Sequence, residues 1–182
     1  MFTTLMPTDI AFPKSVIEKT VKEMGNAISQ KYKGNSLLML CVIEDSYTFL
    51  TDLLQSISVP VTVGFISIDD LLSGPLSKTI EMHFKEKCEH LVIVKTLFDP
   101  VLHLGLKSLS YLEFPRVNVD EVSLLISDSL VDQNFSLNYN GLVFSHEKLL
   151  AGYGITNKGI PKKYYPFTFR NLRDIYYLEK GV

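Results

Sequence analysis

The sequence predicts an α/β fold built on a central, mostly parallel sheet flanked by helices. Two observations carry this. Several short runs are apolar throughout: Ser36 to Ile43 (SLLMLCVI), Val59 to Ile68 (VPVTVGFISI) and Leu91 to Val94. They have strand length without polar alternation, as strands covered on both faces do. The segments between them carry helical periodicity or polar character, which is the βαβ rhythm of a parallel sheet. With 182 residues, 46 % of them hydrophobic, the chain suits one domain, 1–182, with a sizeable core.

Taken in order, Ile17, Val21, Met24 and Ile28 recur at spacings of four, three and four. That places them on one face of a helix from Ser15 to about Tyr32, with Ser15 and Glu18 as a capping box. Lys33-Gly34-Asn35 ends the helix, the strand Ser36 to Ile43 follows, and a second helix is expected from about Tyr47 to Ser56. After Val59 to Ile68 comes a polar stretch to His90, then the strand Leu91 to Val94. Asp99 to Ser110 reads as a helix with Leu102, Leu106 and Leu109 on one side, and Val122 to Ile126 and Tyr139 to Phe144 read as strands. From Lys158 onward the composition turns basic and aromatic, an irregular excursion before a last strand.

The composition excludes several classes. With 18 basic and 20 acidic residues the formal charge is -2, so no global field holds nucleic acid or an anionic membrane. No apolar stretch approaches the roughly 20 residues that span a bilayer, and Met1 to Pro13 lacks the pattern of a secretion signal. Cys41 and Cys88 have neither metal-site spacing nor the density of a disulfide scaffold, which suits a reducing, cytoplasmic setting. His83, His90, His103 and His146 show no metal-ligand spacing, and no serine sits in a nucleophile elbow.

Several strings, in order, resemble the hypoxanthine-guanine phosphoribosyltransferase family. IAFPKSVIEKTVKEMGNAIS resembles its first strand and helix, and LLMLCVIEDSYTFLTDLL its strand-loop-helix around a Leu-Lys-Gly turn. VPVTVGFISI is similar to its Val-Asp-Phe strand. LVIVKTLFDP falls where the ribose-phosphate motif stands, while AGYGI and FRNL resemble its Gly-Tyr-Gly-Leu-Asp and Phe-Arg-Asn-Leu segments. The resemblance spans roughly residues 8 to 182. It implies a type I phosphoribosyltransferase-like fold with a small hood from the chain termini, and transfer of a purine base onto phosphoribosyl pyrophosphate with magnesium as cofactor.

The same resemblance implies that much of the chemistry is degraded. The paired acids for the ribose hydroxyls and magnesium are Lys95 and Thr96 here. The cradle glycine is Val101, and Pro100 has no N–H. Asp99 alone matches, either as a general base near the purine or as a helix N-cap ahead of Pro100. The Leu-Lys-Gly turn is Ile43-Glu44-Asp45. Its two carboxylates would repel a diphosphate, and they read either as a solvated turn or as an acidic metal site. The purine-reading lysine falls at Ser127 and the magnesium aspartate at Thr156. The base-stacking aromatic falls at Phe144 or, one residue earlier, at Val143. Arg170 matches the phosphate-contacting arginine, although extra residues separate it from Gly154; it reads as a substrate contact or as a structural ion pair. The lid is represented by Asp69 to Leu76 without its Ser-Tyr pair. Pro161 to Arg173 reads as a binding surface or as a hairpin packed on the sheet.

The expectation is therefore a catalytically impaired or inactive homologue with no cofactor, magnesium being needed only if it is active. Its expected partner is a second copy or an active paralogue, with a nucleotide or purine as a further ligand. The alternatives are a divergent active purine phosphoribosyltransferase of purine salvage and a non-catalytic nucleotide sensor.

Overall fold

The computed structural model describes residues 5–67, 90–101, 103–105, 117–131, 139–155, 169 and 171–180. Within them the apolar runs form one five-stranded sheet, in the order β3-β2-β4-β5-β6, with every neighbouring pair parallel. The strands are β2 (Leu37–Val42), β3 (Val61–Ile66), β4 (His90–Leu97), β5 (Asn118–Ser127) and β6 (Tyr139–Phe144). A second, antiparallel sheet pairs β1 (Leu5–Phe12) with β8 (Ile175–Lys180), and β8 with β7 (Leu149–Ala151). This is the hood: the chain ends supply two strands, and β7 joins from the interior of the sequence.

Helix α1 (Lys14–Lys31) buries Ile17, Val21, Met24 and Ile28, the residues picked out by periodicity. Its start differs from expectation. The N-cap is Pro13 with no side-chain cap, and Glu18 pairs instead with Lys14 at 3.3 Å, so Ser15 and Glu18 form no capping box. Proline's fixed φ and extended backbone start the helix one residue early. Helix α2 (Ile43–Leu54) also begins earlier than expected, directly where β2 ends. Ile43, Glu44 and Asp45 are thus the first turn of a helix and not a separate acidic turn. β4 and β5 run longer than their apolar cores, because polar residues on them are buried too.

Strand register sets two faces. Met39, Cys41, Val92, Val94, Val122 and Leu124 share the face under α1 and α2, together with buried Phe49, Leu50 and Leu53. At the amino end of this face α1 is tied down by polar contacts. The Tyr32 hydroxyl donates to buried Asp120 at 2.5 Å, and the Lys31 ammonium pairs with the same carboxylate. A surface groove of about 540 Å³ lies at this end, between Gln30, Lys33, Ser58 and Pro60.

Directly after β7 the hood turns at Gly152-Tyr153-Gly154, whose φ angles are 100°, 50° and 81°. Three consecutive left-handed residues make a sharp corner that favours glycine. The corner donates the Tyr153 N–H to the Leu172 carbonyl at 2.8 Å, and the buried Tyr153 hydroxyl donates to Asp52 of α2 at 2.7 Å. A methyl group on Gly152 would stand 2.1 Å from the Asp174 carbonyl oxygen. Gly152→Ala is therefore expected to cost at least about 2 kcal/mol from backbone strain and clash together, read as a lower midpoint in urea unfolding. A wild-type midpoint would show that the corner is not under this constraint.

Burial, and then the hydrogen bond to Asp52, pushes the Tyr153 phenol above its ordinary range; burial and Asp120 do the same for Tyr32. A raised folded pKa means the stabilisation is fully present below about pH 10, the ordinary tyrosine value. It is lost as the pH climbs through the raised folded range. In Tyr153→Phe the alkaline fall of the thermal midpoint should be shallower than in the wild type. Parallel alkaline limbs in the two proteins would sink this assignment.

Candidate functional site

In an open parallel sheet, ligands bind beyond the carboxyl ends of the strands. Here those ends deliver Ile43 to Asp45 after β2, Ser67 after β3, Phe98 and Asp99 after β4, Asp128 after β5, and Ser145 and His146 after β6. The topology thus brings Asp99, Phe144, Ser127 and the Glu44–Asp45 positions to one end of the sheet. Thr156, Arg170 and Asp69 to Leu76 lie outside the described residues, as does most of Pro161 to Arg173.

The end of β4 is turned inward. Lys95 is 2 % exposed and Thr96 is fully buried. With a two-residue period they project to opposite faces of the sheet. Thr96 lies toward α2, where its N–H donates to the buried Ser46 hydroxyl at 2.9 Å. Lys95 lies on the other face beside Glu121 and Ser123 of β5. Its ammonium ion-pairs with Glu121 and stands 5.2 Å from the centre of the Phe98 ring. The second Glu121 oxygen lies 2.6 Å from His103 Nδ1, and the Ser123 hydroxyl reaches the carboxylate at 3.5 Å. One buried carboxylate is thus shared between a lysine and a histidine.

This cluster was not foreseen. In the sequence Lys95 reads as a substituted acid and His103 as one of four histidines without metal-ligand spacing, while Glu121 falls just ahead of the strand read from Val122. The available signal was Lys95 and Glu121 bordering runs of strand-forming residues, where a buried charge is tolerated only if paired.

The segment after β4 spends its N–H groups internally. Phe98 donates to the Leu125 carbonyl at 2.9 Å, Val101 to the Asp99 carboxylate at 2.9 Å, and His103 to the Asp99 carbonyl at 2.9 Å. Pro100 has none to give. Asp99 followed by Pro100 has the geometry of a helix N-cap with proline at the first helical position.

At the ends of β5 and β6, Ser127 is paired in register with Phe144, which is partly buried against the core, while Val143 is exposed. The Ser127 hydroxyl lies 2.9 Å from that of Ser129, in the short helix α3 (Asp128–Val131). Asp128 Oδ1 accepts the His146 backbone N–H at 3.0 Å and lies 2.8 Å from its Nδ1. The His146 backbone N–H first, and then its imidazole, hold the Asp128 carboxyl below the usual carboxylate range. Among the described residues no group of three or more metal-ligating side chains converges. No described helix is long and apolar enough to cross a membrane.

No protein-family model matches the chain. It is 26 % identical over 148 residues to a hypoxanthine-guanine phosphoribosyltransferase of Lactococcus lactis, covering 78 % of this chain and 79 % of that protein. A Dictyostelium discoideum protein of the same name is 26 % identical over 108 residues, which span 54 % of this chain and 60 % of the relative. Among solved structures, the hypoxanthine phosphoribosyltransferase of Trypanosoma cruzi superposes with a TM-score of 0.72 at 26 % identity, covering 96 % of this chain and 98 % of that one. A Bacillus anthracis hypoxanthine-guanine phosphoribosyltransferase does so with a TM-score of 0.70 at 20 % identity, covering 96 % and 99 %. The neighbours by sequence and by structure consistently carry this family's name, and the chain has the type I phosphoribosyltransferase fold.

Removing the Lys95 ammonium while keeping its stem should leave Glu121 buried with one partner fewer. Lys95→Met is expected to destabilise by about 3–5 kcal/mol, and Lys95→Met with Glu121→Gln by clearly less, measured by denaturant unfolding. Additive losses would mean the two charges do not depend on each other.

Proposed function

We propose that this relative of the hypoxanthine-guanine phosphoribosyltransferases is catalytically impaired or inactive. It acts as a non-catalytic subunit or regulator by associating with itself or with an active paralogue. The observation that carries the reading is the internal use of the N–H groups after β4. A phosphate cradle needs backbone donors aimed outward at the anion. Here Thr96 donates to Ser46, Phe98 to Leu125, and Val101 and His103 to Asp99. The two positions that the resemblance assigns to acids facing ribose and magnesium are buried, one as a lysine neutralised by Glu121. Binding a diphosphate at this segment would require breaking contacts worth about 1 kcal/mol each.

An association surface is available. Ile43 and Tyr47, one helical turn apart on α2, are exposed beside exposed Phe65 on β3, with the Tyr47 and Phe65 ring centres 6.4 Å apart. Among the described residues β3 is one of the two edge strands of the five-stranded sheet. Aromatic surface of this kind suits the centre of a protein interface.

The test is calorimetric titration with phosphoribosyl pyrophosphate and magnesium, paired with a nucleotide-product assay on hypoxanthine, guanine and xanthine and with sedimentation analysis. The expected result is no heat, no nucleotide, and an oligomer that Tyr47→Asp dissociates. Nucleotide formation would overturn the loss of catalysis. A protein that stays monomeric alone and beside an active relative would overturn the subunit role.

A further inference from the structure

The groove of about 540 Å³ at the amino end of the parallel sheet lies opposite the strand ends described above, between the last turns of α1 and the loop that leads into β3. Its walls are held by the chain itself. Gly25 lets the helix press on that loop, since a methyl group there would stand 2.5 Å from the Ser56 Cβ. One turn on, the Ser29 hydroxyl donates to the Gly25 carbonyl at 2.8 Å and accepts the Ser58 N–H at 3.0 Å. The far wall is pinned to the sheet where Leu37 donates its N–H to the Pro60 carbonyl at 2.9 Å. A groove fixed on both sides needs little ordering when something binds in it.

What lines the groove is unusual for this end of the molecule. Asn26 and Gln30, one helical turn apart on α1, stand in a row with Lys33, just past the C-cap Tyr32, and the other wall is Ser58, Val59 and Pro60. Asn26, Gln30 and Lys33 are exposed, and among the described residues their side chains make no hydrogen bond or ion pair. Their neighbours Lys31 and Tyr32 are by contrast engaged with Asp120. No acidic residue lines the groove.

The chemistry of this row narrows the occupant. A carboxamide carries both donors and an acceptor, as does the edge of a peptide unit. Four helical residues rise about 6 Å, and the backbone groups on one edge of an extended chain repeat every two residues, about 6.6 Å. Two carboxamides one turn apart therefore fit successive same-edge positions of an extended peptide. Lys33 adds one positive charge further along the row, and Val59 and Pro60 give an apolar wall for a side chain.

We propose that this groove binds an extended acidic segment of a partner protein, with Asn26 and Gln30 hydrogen-bonding its backbone and Lys33 pairing with one of its carboxylates. The inference goes beyond the loss of catalysis and does not rest on it, because the groove lies at the other end of the sheet from both the segment after β4 and the Tyr47 surface.

The test selects displayed random heptapeptides on the full chain and measures the selected peptides, labelled with fluorescein, by anisotropy. The expected peptides carry Asp or Glu and bind the wild type, while Gln30→Ala and Lys33→Ala each weaken them about fivefold or more. Lys22→Ala, an exposed change on the same helix outside the groove, should leave their affinity unchanged. Lys33→Glu should turn the preference toward peptides that carry lysine. Methylating the backbone nitrogens of alternate peptide residues should abolish binding in one of the two registers. All the substituted residues are exposed, so equal thermal midpoints check that each variant is folded. The inference is overturned if no selected peptide binds the wild type, or if the peptides bind Gln30→Ala and Lys33→Ala as well as they bind the wild type. Binding that survives methylation in both registers also overturns it, because a carboxylate alone is then being read. None of these outcomes bears on the nucleotide-product assay or on Tyr47→Asp, so the two readings fail separately.

Discussion

Glu121 lies in the middle of β5 with almost no exposure, and a carboxylate there is tolerable only if it is neutralised on the spot. Two groups do this: Lys95 from the neighbouring strand and His103 from the helical segment that follows it. The consequence reaches beyond the cluster. Once Lys95 must face Glu121, the two-residue period of β4 sends the Thr96 side chain to the opposite face, while the Thr96 backbone N–H donates to Ser46. Once His103 must face Glu121, the segment from Asp99 onward is drawn against the sheet, and Asp99 caps it. One buried charge thus sets the direction of the chain where a parallel sheet ordinarily offers its binding loop.

The other constraints act at the margins. Asp120, one residue earlier and on the opposite face, gathers Tyr32 and Lys31 and fixes the end of α1. Tyr153 reaches from the hood to Asp52 on α2, so the antiparallel sheet is tied to the parallel one through a hydrogen bond as well as by apolar packing. In each case a carboxylate serves as the anchor for a donor from a distant part of the chain. Pairing of this kind adds specificity of register where apolar contacts alone would tolerate sliding.

Much of the framework was legible because burial writes itself as periodicity. Ile17, Val21, Met24 and Ile28 gave α1, and the apolar runs gave β2, β3 and the cores of β4 and β5. What escaped reading follows from the same rule. Outside their apolar cores β4 and β5 carry Lys95, Thr96, Asp120 and Glu121, which look exposed in a sequence because their partners lie on other elements. The start of α2 was misread since Glu44 and Asp45 resemble a turn, whereas β2 passes into helix without one. At the site, Asp99 could be read both ways from its neighbour Pro100, and only the Val101 N–H contact gives it a capping geometry. The pairing of Asp128 with His146 joins residues eighteen apart and has no local signal at all.

The two halves of the strand-end surface therefore differ in how their polar groups are satisfied. After β4, donors and charges close on one another: a lysine on a glutamate, backbone N–H groups on Ser46, Leu125 and Asp99. A charged ligand arriving there competes with contacts already made, in an interior where leaving Glu121 short of a partner is costly. After β5 and β6 the polar contact is a surface one: Asp128 Oδ1 accepts the His146 backbone N–H and lies 2.8 Å from its ring Nδ1, and both side chains stay about half exposed.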